Sequence, residues 1–443
     1  MTTPNGPVLF NSSSGSDYDS SGLGPASAVT GYGAELDGTA TIDVSMDGAD
    51  LTTMSAGDLL FCYTSSGRQF SIIASVDTIN ETITTDDAWP TESGVAWAVG
   101  GKRATLENSK QLLRDSFTDG KPELHLETDQ TTSTGFYATT SAPMSATIRS
   151  SDGTQRTITQ TASYYLFLGG SYTFENLKLV CSNATPAVSL LYWSNGTGYA
   201  GVVAFNCHFA GGAQTINAGG GSYGLRLRMQ YCEVSGFTSY NGAIYAQGFG
   251  SYNKAQVSAA FCYFHDNTRD VGNTSSGNTC FVVFNNCIFD GTNSSGGTAI
   301  GIGRANYTET NGCIFYNYSG NGWYYSIGTP HDIKNCLFVN CGNAFNSASL
   351  VTRGSAAASY FYNNTNNYTQ YTTNYFNDVE LTADPFTDAA AGDFSLNSDA
   401  GGGATLRAAS QTLGATTGYP FNWLTDGSGG GGGGSTVHPL YAN

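Results

Sequence analysis

The sequence predicts an all-β chain built mainly from a right-handed parallel β-helix, a solenoid of stacked coils. A cysteine recurs at intervals of 25, 30, 25, 26 and 23 residues, always inside one short phrase, and no helical period separates the repeats. A period in this range indicates stacked repeats that cannot bury their apolar faces alone. The phrases read FNCHF, QYCEV, AFCYF, NNCIF, NGCIF and KNCLF.

The phrase predicts one short strand in each coil. Side chains alternate along a strand, so the cysteine and the apolar residue two places later share one face. The same register extends upstream to Leu177 and, in the sequence YNNTN, downstream to Thr365. Cysteines at equivalent positions on successive coils stack in parallel and do not point at each other, so we expect a reduced and buried column without disulfides. The chain has no C-x-x-C pair, so zinc is not expected. Its members are Leu177, Cys207, Cys232, Cys262, Cys287, Cys313 and Cys336.

The rest of the chain divides by composition and patterning. Short alternating strands before the solenoid predict a small antiparallel β-domain, in which GDLLFCYT pairs with RQFSIIASVD as a hairpin. TLENSKQLLRDSF has a capping threonine and one apolar face, so it predicts a helix that covers the open solenoid end. The predicted segments are an extended arm (1–30), the β-domain (31–104), the capping helix (105–118), the β-helix (119–375), an irregular closing segment (376–428), and a glycine linker with a C-terminal tail (429–443).

The cysteine phrases and their spacing resemble the pectin-lyase-like β-helix superfamily, over roughly residues 120–400. This resemblance implies a fold and no particular activity, because one fold carries many functions. Polysaccharide lyases and hydrolases of this fold carry clustered carboxylates on outward strand positions, so the resemblance directs attention to the residue that follows each cysteine.

That outward row contains one carboxylate. Glu233 stands between His208 and Tyr263, and Asp266 lies in a nearby turn, so Glu233, His208 and Asp266 are the candidates for catalysis. The expected interpretation is that they are solvated polar residues without a catalytic role, and a Glu233–His208 dyad is the alternative. We expect no cofactor and no metal. The full row is Lys178, His208, Glu233, Tyr263, Ile288, Ile314 and Leu337.

The last three members of the row are apolar, which implies that the outer face of these coils is covered. The expected cover is a partner subunit, with a trimer as the assembly, and the alternative is residues 375–425 of the same chain. Nearby aromatic residues are typical of contact surfaces. The predicted binding surface comprises Ile288, Ile314, Leu337, Tyr316, Trp323 and Tyr325.

Charge and composition restrict the partners. A formal net charge of −17 argues against nucleic acid, which needs clustered Lys and Arg. The first residues, MTTPNGPVLFNSSSG, lack a basic region and an apolar core, so synthesis without a Sec signal peptide is expected. No apolar run is long enough to insert into a membrane. These features favour a location on a virion surface or outside the cell.

The function predicted first is that of a non-enzymatic structural protein of a virion surface: a spike, fibre or capsid decoration protein that contacts other copies of itself, other virion proteins and surface glycans. The alternatives are a carbohydrate-active tailspike or depolymerase, which needs a carboxylate pair in a groove, and a cell-surface adhesin.

Overall fold

A computed structural model gives the fold. The residues that it describes form two compact units, 1–162 with 169–180, and 163–168 with 181–443. The described residues are 8–11, 28–102, 104–106, 109, 123–133, 136–137, 145–161, 167–168, 171–181, 189–192, 200–212, 215–217, 225–246, 254–273, 279–303, 307–325, 331–347, 359–369 and 378–409.

The first unit contains a closed barrel of six antiparallel strands, as the alternating pattern predicts. The predicted hairpin is confirmed, with Phe61 opposite Phe70. The core of the barrel includes Ile42, Ile83 and Trp97. The barrel strands are Val29–Asp37, Thr41–Asp43, Leu59–Thr64, Gly67–Asp77, Thr82–Thr85 and Thr91–Val99, and a 3-10 turn spans Leu51–Thr53.

The carboxylate of Asp47 anchors the first strand of this barrel, Val29–Asp37, by hydrogen bonds. Asp47 accepts hydrogen bonds from the Trp97 indole at 2.6 Å and from the backbone N–H groups of Tyr32 and Gly33 at 2.9 Å each. A Cβ atom at Gly31 would lie 2.2 Å from Asp47 Oδ2, so only glycine fits there.

The first unit also contains parallel strands of the solenoid. Val8–Asn11 pairs with Glu123–Leu126, so part of the predicted arm is a strand on the edge of the first described coil. The predicted capping helix lies mostly outside the described residues, although Leu106 and Ser109 are helical and both are buried. The other strands are Gln130–Thr132, Phe136–Tyr137, Ser145–Ser150, Arg156–Gln160, Ser171–Glu175 and Leu177–Cys181.

The second unit is a parallel β-solenoid in which successive coils add one strand to each of three sheets. Sheet 1 consists of Ala200–Phe205, Leu225–Gln230, Lys254–Ala260, Thr279–Asn285, Tyr307–Asn311 and His331–Lys334. Sheet 2 consists of His208–Ala210, Glu233–Ser235, Tyr263–His265, Ile288–Asp290, Ile314–Tyr316, Leu337–Val339, Tyr360–Tyr362 and Val379–Glu380. Sheet 3 consists of Phe167–Leu168, Ser189–Tyr192, Thr215–Asn217, Ile244–Tyr245, Arg269–Asn273, Thr298–Ile302, Asn321–Tyr325, Asn343–Ser347 and Asn366–Thr369.

The cysteine column is buried at the corner between sheets 1 and 2, as predicted. All ten cysteines are buried and free of disulfides. Burial raises the pKa of the Cys262, Cys287 and Cys336 thiols. Beside the thiols, the phenylalanines two places later stack from coil to coil, with centroids 4.7 Å apart for Phe264–Phe289. One coil after Cys336 the equivalent position is Ser359 and not Thr365, because Phe361 pairs with Phe338.

The residue before each column residue has a left-handed backbone, which lets the chain turn sharply from sheet 1 to sheet 2. Asparagine and glycine tolerate this conformation, and most coils use them. Tyr231 and Phe261 are bulky exceptions with φ of 54° each, and their rings stack on each other at 5.2 Å. The left-handed residues are Asn176, Asn206, Tyr231, Phe261, Asn286, Gly312 and Asn335.

We expect Cys287→Ser to lower the stability of the solenoid by about 1–3 kcal/mol, because it buries a poorly satisfied hydroxyl. Thermal unfolding of the variant beside the parent protein measures this loss. The same burial predicts that a thiol reagent labels the six column cysteines only after denaturation. Rapid labelling of all six in the native protein would contradict the buried column.

The closing segment folds over the outer face of sheet 2. Phe386–Asp388 and Asp393–Leu396 pair antiparallel, a 3-10 turn spans Ala389–Ala391, and residues 403–409 are helical. These elements form one apolar cluster with the outward residues of sheet 2. Ile288, Ile314 and Leu337 are therefore at most 1% exposed. The cover is the chain itself, which was the alternative to a partner subunit, and these three side chains are unavailable to a partner.

Candidate functional site

The outward row of sheet 2 joins the candidate catalytic residues in one network. Glu233 Oε1 lies 3.2 Å from His208 Nε2 and 3.0 Å from His265 Nε2. His265 Nδ1 in turn lies 2.7 Å from Asp266 Oδ2, so the structure brings together all three predicted residues and adds a second histidine. Parallel register explains the meeting, because His208, Glu233 and Tyr263 occupy equivalent positions on successive coils.

The geometry of this network does not match a nucleophilic relay. His208 Nε2 also lies 2.8 Å from the Ser235 hydroxyl. The same nitrogen thus faces both the acid and the hydroxyl, whereas in a serine triad they bind opposite nitrogens of the imidazole. The arrangement is better described as a chain of mutual hydrogen bonds that orders the outer face of sheet 2.

We expect Glu233→Gln to lower the pKa of His265. Burial alone would lower that pKa, but the hydrogen bonds to Glu233 and Asp266 outweigh burial and raise it. A raised folded-state pKa means that this histidine contributes stability at low pH, and that the contribution is lost as pH rises through the folded pKa. Histidine titration by NMR measures the change. Glu92→Gln in the barrel is the control, and an unchanged His265 pKa in the Glu233 variant would contradict the network.

A second titratable cluster lies inside the solenoid. Asp270 accepts hydrogen bonds from Asn267 Nδ2 at 2.8 Å and from the Tyr318 hydroxyl. Asn267 is held by the backbone of Phe237 and Val234. Burial is the main cause that raises the pKa of Asp270 to about 7, so this carboxyl titrates near neutrality although no solvent reaches it.

The aromatic residues predicted to form a contact surface are buried. Trp323 and Tyr325 alternate inward from sheet 3 and are 1% and 0% exposed. Tyr316 packs under the closing segment against Phe394, with ring centroids 5.4 Å apart. These three side chains belong to the core and are not available for stacking on a ligand.

The outer face of sheet 1 contains a site that was not predicted. Three rows of outward side chains run across the coils, two, four and six residues before each column cysteine. The row at four residues contains Val203, Arg228, Ser258, Val283, Glu309 and Asp332. The row at six residues contains Gly201, Arg226, Gln256, Phe281 and Tyr307.

These two rows line a shallow groove of about 370 Å³. Arg226 and Arg228 are exposed at one end, and Gln256 and Ser258 form a polar floor. Half-buried aromatic and aliphatic side chains form the other end, with Phe281, Val283 and Tyr307 as its lining residues. Neighbouring rungs are about 4.8 Å apart, so the groove crosses four coils.

A charged cluster adjoins the aromatic end of the groove. The Tyr307 hydroxyl donates to Glu309 Oε2 at 2.8 Å and lies 3.1 Å from Asp332 Oδ2, so the two carboxylate oxygens lie within about 6 Å of each other. Lys334 Nζ lies 3.4 Å from Asp332 and 3.9 Å from Glu309. The Lys334 ammonium group neutralises part of the charge of this carboxylate pair.

Within the described ranges, no group of three or more His, Cys, Asp or Glu residues has the geometry to hold a metal ion. No helix of the described part is long and apolar enough to cross a membrane.

Fold and site together define a parallel β-solenoid protein with an open, mixed polar and aromatic groove on one sheet. No protein family matches the chain, and no curated protein matches it. Among solved structures it is similar to the tailspike protein gp49 from Pseudomonas phage LKA1, with 13% sequence identity and a TM-score of 0.21. The match covers 82% of this chain and 64% of that tailspike.

Proposed function

We propose that the chain is a non-enzymatic structural protein of a virion surface, a spike, fibre or decoration protein, that binds glycans in the sheet 1 groove. The observation that carries the proposal is the contrast between two outer faces of the solenoid. The closing segment covers the outer face of sheet 2 along its later coils, from Tyr263 onward, while the face of sheet 1 keeps exposed arginines and half-buried aromatic rings open to solvent.

The groove has the chemistry that sugars require. Phe281 and Tyr307 offer ring faces for the apolar side of a sugar, and Gln256, Ser258 and Arg228 offer hydrogen-bonding groups for its hydroxyls. Rigid parallel strands hold all of these side chains, which limits the entropy lost on binding. An extended glycan matches a groove that runs across successive coils.

The binding part of the proposal is tested with immobilised host-surface polysaccharides. Ser258→Tyr should fill the groove floor and abolish binding, because Ser258 lies at its centre. Ser75→Tyr, an exposed site in the barrel, is the matched control and should bind normally. Equal binding by the two variants, or no binding by the parent protein to any polysaccharide, would contradict the groove as a glycan site.

The virion part is tested separately by quantitative mass spectrometry of purified particles. A fixed copy number per particle, with epitopes accessible to antibody on intact virions, is the expected result. Supporting features are the repetitive solenoid, the small barrel that precedes it in sequence, and the strongly acidic charge. Absence from particles, together with presence on a cell surface, would favour an adhesin.

The second candidate function is glycan cleavage, which the Glu309–Asp332 pair favours. Hydrolases use two such carboxylates as acid and as base or nucleophile. We expect no release of reducing ends or unsaturated sugars from a bound polysaccharide, because Lys334 pairs with both carboxylates. Steady release that Glu309→Gln abolishes, and that Glu233→Gln leaves intact, would establish an enzyme and replace the structural proposal.

A further inference from the structure

Charge is distributed unevenly along the groove. Arg226 and Arg228 stand two residues apart on one strand, so both project from the same exposed face. They are two of 17 basic residues in a chain whose formal net charge is −17. At the opposite end, Glu309 and Asp332 outnumber the single Lys334 and give that end a net negative charge.

The middle of the groove carries no formal charge. Gln256, Ser258, Phe281 and Val283 separate the arginine end from the acidic end. Arg228 and Glu309 belong to the same row and are three rungs apart, which corresponds to about 14 Å. A ligand that fills the groove therefore meets positive charge, then neutral surface, then negative charge, in a fixed order.

We propose that the groove is specific for a glycan with an isolated acidic substituent, a carboxylate or sulfate, which binds the Arg226–Arg228 pair while uncharged sugars lie over Phe281 and Tyr307. This inference rests on the glycan-binding function proposed above and adds the chemical class of ligand. Guanidinium groups bind planar or tetrahedral oxyanions through paired hydrogen bonds, which makes arginine the suitable residue at this end.

The acidic end excludes a uniform polyanion. A glycan with one negative charge on every sugar would place charges beside Glu309 and Asp332 as well as beside the arginines, and like charges at close range oppose binding. The same acidic end fixes the direction of the ligand, because reversal of the chain would carry its acidic group away from the arginines.

The inference is tested with three oligosaccharides of equal length: one with a single terminal uronate, its analogue with the carboxylate reduced to an alcohol, and a fully charged oligouronate. A fourth arm, with a sulfate ester in place of the single carboxylate, distinguishes the two acidic groups. Binding of all four is measured by calorimetry at low and moderate salt. The variants are Arg228→Gln and Glu309→Gln, and Ser75→Tyr is again the control.

We expect the parent protein to bind the singly charged ligand about tenfold more tightly than the reduced analogue, and Arg228→Gln to abolish that difference. Glu309→Gln should strengthen binding of the fully charged ligand, because it removes one of the like charges that oppose it. Equal binding of the charged and reduced ligands, both sensitive to Ser258→Tyr, would overturn the inference and leave the glycan-binding proposal standing. Tightest binding by the fully charged ligand would also overturn it. Absence of binding by every ligand, including the immobilised polysaccharides, would overturn both.

Discussion

Ile314→Asp should lower the melting temperature of the solenoid strongly and leave the oligomeric state unchanged. Ile314 is 0% exposed, at the centre of the cluster formed by sheet 2 and the closing segment. A buried carboxylate that replaces this side chain loses the packing of the isoleucine and lacks a partner, which together cost about 4 kcal/mol or more. Differential scanning calorimetry measures the loss, and native mass spectrometry measures the assembly.

Ile314→Val is the matched control, with an expected loss of about 1 kcal/mol. In the Ile314→Asp variant, hydrogen exchange should be faster in residues 386–396, because these residues lose protection once the closing segment detaches. A fall in oligomer mass with an unchanged melting temperature would identify this strip as an interface between subunits and contradict its coverage by the chain itself.

Asp270→Asn should remove a pH dependence of stability of about 4 kcal/mol between pH 4 and pH 7. In the folded protein the pKa of Asp270 is about 7, compared with an ordinary value of 3.8. The folded state then holds its proton over a range in which the unfolded state has lost it, so stability falls as pH rises through this window and levels off above the folded pKa. Asparagine keeps the shape of the side chain and does not titrate.

Denaturant unfolding of the parent and variant proteins, at several pH values, gives the difference directly. The two should be similar near pH 4, and the variant should be the more stable at pH 8. Asp399→Asn in the exposed part of the closing segment is the control, since its removal leaves the buried cluster intact. Parallel pH profiles for the parent and the Asp270 variant would show that the buried carboxyl is charged throughout.

The cysteine period predicted the coil register because the same corner of successive coils requires a small apolar side chain. In six successive coils the corner holds a cysteine, a small apolar side chain, and an apolar residue follows two positions later, as at Cys287 and Phe289. The same register placed Glu233 beside His208 and showed that Ile314 faces outward under a cover. Nothing local could identify that cover, because Phe386, Phe394 and Leu406 follow no period and meet sheet 2 only through long-range contacts.

The groove was missed for a different reason. In the strand Tyr307–Asn311 the inward positions are Thr308 and Thr310, so no apolar alternation marks it as a strand. A usable signal was present all the same, since Arg228, Glu309 and Asp332 each stand four residues before a column cysteine. Trp323 and Tyr325 were wrongly placed on the surface because aromatic composition was considered without the inward alternation of sheet 3.

The position of the cover in the sequence has a consequence during synthesis. The ribosome completes Ile288, Ile314 and Leu337 before it reaches the residues that shield them, so the nascent solenoid carries a bare aliphatic stripe until residues 386–406 emerge. Such a stripe attracts chaperones and other unfinished chains. A chain that terminates early would keep the stripe exposed, and this would distinguish a truncated product from a finished one.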